Sequence, residues 1–274
     1  MLLAHAGAPA ATGLAWLVPL VAAGVPALLY LAGVRRAGRP WGRGRTASFL
    51  GGAVLLGVAL SPPVEAAAAG ATGHVLQHLL LASAAPIALV LGAPVSLLLS
   101  AMPVAARRPA AAVLRARSVH VLSHPVVAAA LSTGGLYALH LTPLYALSSS
   151  SAAVHGLVHG HLLLAGSLYA WSIAGPDPAP RRPGTAFRVG VLVAAGGAHA
   201  LLAKLLYARA PAWPPGSGHG VAELQQAAQW MYYGGSVADA VLLTALFAAA
   251  HRRSGRALSR RRAPVPAVAA GVSG

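Results

Sequence analysis

Residues Gly73–Leu99 read GHVLQHLLLASAAPIALVLGAPVSLLL, with no Asp, Glu, Lys or Arg anywhere in the run. A hydrocarbon core about 30 Å thick is crossed by roughly 20 apolar residues in a helix. The stretch therefore predicts a transmembrane helix over about 74–101, kinked at Pro86 and Pro94. Its first turns carry His74, Gln77 and His78. The two histidines are four residues apart, so they share one helix face.

The rest of the chain has the same character. Of 274 residues, 57% are hydrophobic and only 9% charged. A soluble domain carries about 25% charge, so the composition argues against a soluble enzyme. Cysteine is absent, which removes disulfides, thiolate metal sites, iron–sulfur clusters and cysteine nucleophiles. Seven stretches are long and apolar enough to span: about 12–33, 47–65, 74–101, 125–147, 154–174, 187–208 and 223–250. The predicted fold is an all-α membrane bundle of seven helices over residues 1–251. A basic, disordered tail follows over 252–274.

The charge is strongly positive, with 20 basic residues against four acids (Glu65, Asp177, Glu223, Asp239). Position explains it better than nucleic-acid binding does. Arg35, Arg36, Arg39, Arg43 and Arg45 fall in the first loop, and Arg107, Arg108, Arg115 and Arg117 in the third. Arg181, Arg182 and Arg188 fall in or beside the fifth loop, and Arg252, Arg253, Arg256, Arg260, Arg261 and Arg262 in the tail. The second and fourth loops have none. This alternation predicts an outer N-terminus and a cytoplasmic C-terminus. The tail can also meet anionic headgroups of the lipid bilayer. No nucleic-acid-binding motif accompanies the charge.

Twelve histidines are many for a chain so poor in other ionisable groups. His120, His124 and His251 fall on the cytoplasmic side, and His5 and His219 in outer segments; these read as interface residues. The others gather toward the outer half. His74 and His78 open the third span, His140 ends the fourth, and His155, His159 and His161 open the fifth. His199 lies near the middle of the sixth. His155 and His159 repeat the four-residue spacing of His74 and His78, while His161 points to another side of its helix. Imidazole ligates copper, zinc, iron and nickel, and Met231 on the seventh span adds a thioether acceptable to Cu(I). Glu223 lies at the outer lip of that span, and Asp239 lies deeper with no evident partner other than Lys204. Four acids are too few for a carboxylate-rich Mg²⁺ or Ca²⁺ site. No nucleophile elbow, phosphate loop or H-E-x-x-H helix occurs. The seventh span has no Lys for a retinal Schiff base. Trp171, Trp213, Tyr145, Tyr169, Tyr207, Tyr232 and Tyr233 read as interface belt residues.

Three blocks carry a resemblance, over about residues 70–250. Gly73–Leu99 is similar to a His-x-x-x-His followed by Ala-Pro and Gly-x-Pro segments. His140–Pro178, HLTPLYALSSSSAAVHGLVHGHLLLAGSLYAWSIAGPDP, is similar to a Thr-Pro-Leu-Tyr segment, then histidines, then a helix ending in Gly-x-Asp-Pro. Glu223–Gly235, ELQQAAQWMYYGG, is similar to an Asp-Gln…Met-Trp…Gly helix. Together they resemble the polytopic CtaG-type assembly factors of haem–copper cytochrome c oxidase. The chain departs from that pattern at Glu223, Leu224 and Tyr232, where the family has Asp, Gln and Trp.

The resemblance implies a non-enzymatic assembly factor in the bacterial inner membrane. It would bind Cu(I) and deliver it to a cytochrome c oxidase subunit in the same membrane. The ligand set it implies is His74, His78, His155, His159 and His161, with Glu223 and Met231 less directly placed, and His140 lying between the pairs. On spacing alone two alternatives stay open. One is a haem-binding cytochrome or redox enzyme using the same His pairs. The other is a metal or small-solute transporter, for which Pro86, Gly92 and Pro94 would interrupt a lining helix.

Overall fold

A computed structural model describes residues 13–38, 40–179 and 182–262; for 253 and 255–262 it describes the backbone alone. His5 lies outside these residues. The described chain is all helical. We number its helices α1 (Leu17–Arg36), α2 (Arg43–Ala59), α3 (Pro62–Ala67), α4 (Ala71–Leu79), α5 (Ala85–Leu91), α6 (Pro94–Ala101), α7 (Val104–Leu114) and α8 (Arg117–Leu122). The remainder are α9 (Pro125–Leu141), α10 (Leu144–Ser150), α11 (Ala152–Ile173), α12 (Thr185–Ala208) and α13 (Val221–Arg262).

Four helical segments are long and apolar enough to cross a membrane: Gly13–Arg36, Ala71–Leu91, Thr185–Ala208 and Val221–Arg252. A fifth is added if α9 and α10 form one span. This is the make-up of a multi-pass membrane protein. The other two expected crossings are α2 and α11. The 17 residues of α2 rise about 26 Å, short of the core. The 22 residues of α11 are long enough, but His155, His159 and His161 make its first half polar. Helix α13 runs on past His251 as far as Arg262.

Burial is distributed as a bilayer demands. Leu17, Leu20, Leu28 and Leu29 on α1 are largely exposed, as are Leu157 and Leu164 on α11. The buried set includes His74, Gln77, His78, His140 and His159. Apolar residues outside and polar residues within is the arrangement lipid favours, because hydrocarbon satisfies no polar group.

Two expected helices are broken by proline. The run Gly73–Leu99 is not one kinked span. It is α4, a π turn at Leu80–Ala84 and α5, continuous to Leu91, with α6 a separate helix beyond it. Pro86 has no N–H to give the Ala82 carbonyl and its ring crowds that carbonyl, so the wider turn relieves the conflict. The freed carbonyl faces Gly166 on α11, where a Cβ would collide with it. Ala93 then adopts the left-handed conformation, φ 57° and ψ 51°, and turns the chain into α6. The expected helix over 125–147 stops at Leu141. Pro143 breaks it, and α10 leaves at 80° to α9.

Contacts from distant acids finish two helix starts. Neither α4 nor α6 has a side-chain cap of its own. Glu223 Oε1 accepts from the Ala71 N–H at 2.7 Å. Asp177 accepts from the N–H groups of Val95 and Ser96 at 3.0 and 2.7 Å. Each carboxylate meets orphan donors at the positive end of a helix. The π turn and α5 sit centrally, packed by α2 and α11, while α13 lies along α4 and α12.

Candidate metal centre

The four-residue spacing on α4 places the His74 and His78 rings 4.1 Å apart, centre to centre. The same spacing on α11 places His155 and His159 3.9 Å apart. The two helices bring His78 and His159 together at 5.5 Å. The result is a continuous row, His74–His78–His159–His155, across the α4–α11 contact. His74, His78 and His159 are buried, and His155 stands at the opening with its side chain 26% exposed.

A carboxylate from α3 closes the exposed end. Glu65 Oε2 lies 3.4 Å from His155 Nε2. Gln77, fully buried, holds Glu65 in place: its Nε2 donates to Glu65 Oε1 at 2.8 Å and to the Ala59 carbonyl at 2.9 Å. One ligand atom each from Glu65, His155 and His159 lie within 4.8 Å of one another. Two atoms each about 2 Å from a shared ion stand at most about 4 Å apart. Closing these three on a metal takes a shift of under about 1 Å.

The deep end is unsatisfied. Both ring nitrogens of His78, and Nε2 of His74, His140 and His159, are buried and make no hydrogen bond. Buried polar groups are normally paired, so such a concentration requires an account. His140 Nδ1 donates to the Leu136 carbonyl at 2.9 Å, which leaves Nε2 as its acceptor. Tyr145, buried on α10, bridges the row to this residue, 4.8 Å from the His74 ring and 6.1 Å from His140. Beneath lies a small cavity of about 20 Å³ bordered by His78, His140, His199 and Met231. His199 Nε2 donates to the Met231 carbonyl at 3.1 Å. Unpaired imidazole nitrogens are donors that copper, zinc, iron and nickel all accept, and the one carboxylate is at the opening only.

The sequence-derived residues divide as follows. His74, His78, His155 and His159 are brought into one row; His140 and Met231 border it. His161 is on the other side of α11, exposed, with Nε2 3.2 Å from the Leu131 carbonyl and its ring against Gly135. Glu223 is committed to the start of α4, and its Oε2 lies 3.6 Å from His219 Nδ1. Lys204 lies over the Tyr232 ring at 5.5 Å, and Asp239 lies against Gly196, so the two are not shown as a pair. The sequence reading did not place Glu65 or Tyr145 at the site. Glu65 follows Ser61-Pro62-Pro63, which starts a new short helix and turns the carboxylate back over the histidines. Nothing local to its sequence signals that return.

The cytochrome c oxidase caa3 assembly factor family (CtaG) matches residues 28–253. Uncharacterized proteins of Mycobacterium bovis and Mycobacterium tuberculosis are each 36% identical over 191 residues, covering 65% of this chain and 29% of theirs. An uncharacterized protein of Mycobacterium leprae is 35% identical over 182 residues, covering 62% of this chain and 28% of its own. The match thus spans about three tenths of the length of these relatives. No solved structure matches the chain. With matched residues running from α1 to the end of the apolar part of α13, the chain belongs to the caa3-type cytochrome c oxidase assembly factor family.

Proposed function

We propose that this chain receives Cu(I) at the exposed end of the histidine row and passes it to a cytochrome c oxidase subunit in the same membrane, without turnover of its own. The observation that carries this reading is the row itself: four imidazoles from two helices, with buried nitrogens that nothing among the described residues satisfies. His155 and Glu65 form the entry. His159 and His78 hold the ion deeper, and His74 and His140 lie beyond them. Copper is cargo here, so the ligands must release it. Neutral imidazoles exchange more readily than a closed thiolate cage, and the chain has no cysteine to build one.

The arginine alternation supports seven crossings, with α2 and α11 completing the bundle and the histidine row facing outside. In that orientation the entry meets copper arriving from the outer side.

An anaerobic Cu(I) titration against a chromophoric competitor tests the reading. Purified wild type is expected to hold copper in a fixed stoichiometry, and a His78→Ala/His159→Ala variant to lose it. Copper retained undiminished by the variant would overturn the assignment of these ligands. No copper retained by the wild type would overturn binding as the mechanism.

A further inference from the structure

The end of the bundle opposite the histidine row has a lateral cavity of about 840 Å³ between α2, the end of α11 and α13. Arg45 and Arg252 both line it, and both are exposed. No acidic side chain lines it. The wall between them is Leu91, Val241, Ala245 and Ala248. Its two hydroxyls are taken up by backbone carbonyls: Ser48 donates to the Ala88 carbonyl at 2.7 Å and Thr244 to the Ala240 carbonyl at 2.8 Å. What the cavity offers an occupant is hydrocarbon along its length and two guanidinium groups at one end.

Its dimensions suit one lipid. From Arg252 to Val237 along α13 the helix rises about 22 Å. One leaflet contributes half of the roughly 30 Å core, so this length covers acyl chains and the headgroup level. Ser48, Leu91, Val237 and Val241 also line a neighbouring apolar cavity of about 700 Å³, which continues the groove toward Leu76 and Gln77. The Arg45 guanidinium lies 5.0 Å from the Trp41 ring. Trp beside Arg is the pairing found where hydrocarbon meets headgroups.

We propose that this groove is a binding site for one anionic phospholipid, its phosphate held between Arg45 and Arg252 and its acyl chains lying against α13. Guanidinium groups bind phosphate through paired, charge-assisted hydrogen bonds. A zwitterionic lipid brings the same phosphate together with a cation that the two arginines repel. The site is independent of copper and needs only that the chain lie in a bilayer.

Native mass spectrometry of the full chain, delipidated in detergent and then given phosphatidylglycerol or phosphatidylcholine, tests this. Wild type is expected to retain one phosphatidylglycerol in preference to phosphatidylcholine. An Arg45→Gln/Arg252→Gln variant should weaken that retention by about twenty-five-fold, a factor of about five for each arginine near an anionic surface. Ala248→Trp fills the apolar wall without changing charge and should also displace the lipid. Equal retention of the two lipids by wild type would overturn the proposal, as would undiminished preference in the arginine variant. Cysteine cross-linking of Ala248→Cys chains into dimers in native membranes would show a second copy covering the groove and would equally overturn it.

Discussion

Replacing His78 by leucine should stabilise the copper-free protein and reduce its response to copper, with only Glu65, His155, His159 and His74 left in the row. The imidazole has one N–H and one acceptor nitrogen, both buried and both without a partner. Each unmet polar group costs about 1–3 kcal/mol, or about 2–6 kcal/mol together. Leucine removes both and keeps the apolar contact, with about 1–2 kcal/mol returned through imperfect fit. The net gain is about 2 kcal/mol, and at about 2–4 °C per kcal/mol for a chain of this size the melting temperature rises by roughly 4–8 °C. Copper should reverse the order. A ligand at a hundred times its dissociation constant adds about 2.7 kcal/mol to the form that binds it, which lifts wild type fully and the variant, one deep ligand short, by less. The assay is thermal unfolding in detergent, followed by intrinsic fluorescence, with a Cu(I) chelator and then with buffered Cu(I). A variant that melts below wild type under chelator would refute the reasoning, since His78 would then have a structural partner. An equal gain from copper in both proteins would refute the site.

Four further outcomes follow from the same geometry. His161→Ala should leave Cu(I) affinity within about twofold of wild type, because the ring lies on the far side of α11; a competitor titration checks this, and a tenfold loss would return His161 to the ligand set. Glu65→Gln should weaken copper uptake while sparing the deeper ligands, read as a slower association rate with a smaller change at equilibrium. Asp177→Ala strips the cap from Val95 and Ser96 and should cost about 1–2 kcal/mol by thermal unfolding, with copper affinity unaltered. Gly166→Val puts a side chain into the Ala82 carbonyl and should push α11 off the π turn that follows α4, lowering both stability and copper binding; a variant that binds normally would show that this packing does not set the site.

Composition and the spacing of arginines along the chain were enough to read a helical membrane protein. Charge is too sparse to build a water-facing surface, and apolar runs of bilayer length recur. Both signals are local, so no tertiary information is needed. The same holds for the two histidine pairs. A spacing of four on a helix brings two rings to one face, and both pairs are in contact at about 4 Å.

What the spacing left open was decided by packing. Pro86 opens a π turn, and Gly166 admits the freed carbonyl, so α4 and α11 approach closely enough to join the pairs at 5.5 Å. Glu65 reaches the row only because the chain reverses at Pro62–Ala67. Glu223 is drawn away from it because the start of α4 has no cap of its own. Which side of each helix faces which neighbour depends on such contacts between residues far apart in sequence, and no local pattern carries them. The sequence by itself determined the kind of environment and the local pairs of ligands. Tertiary structure decided which pairs meet, which acid joins them and which is diverted to hold a helix end.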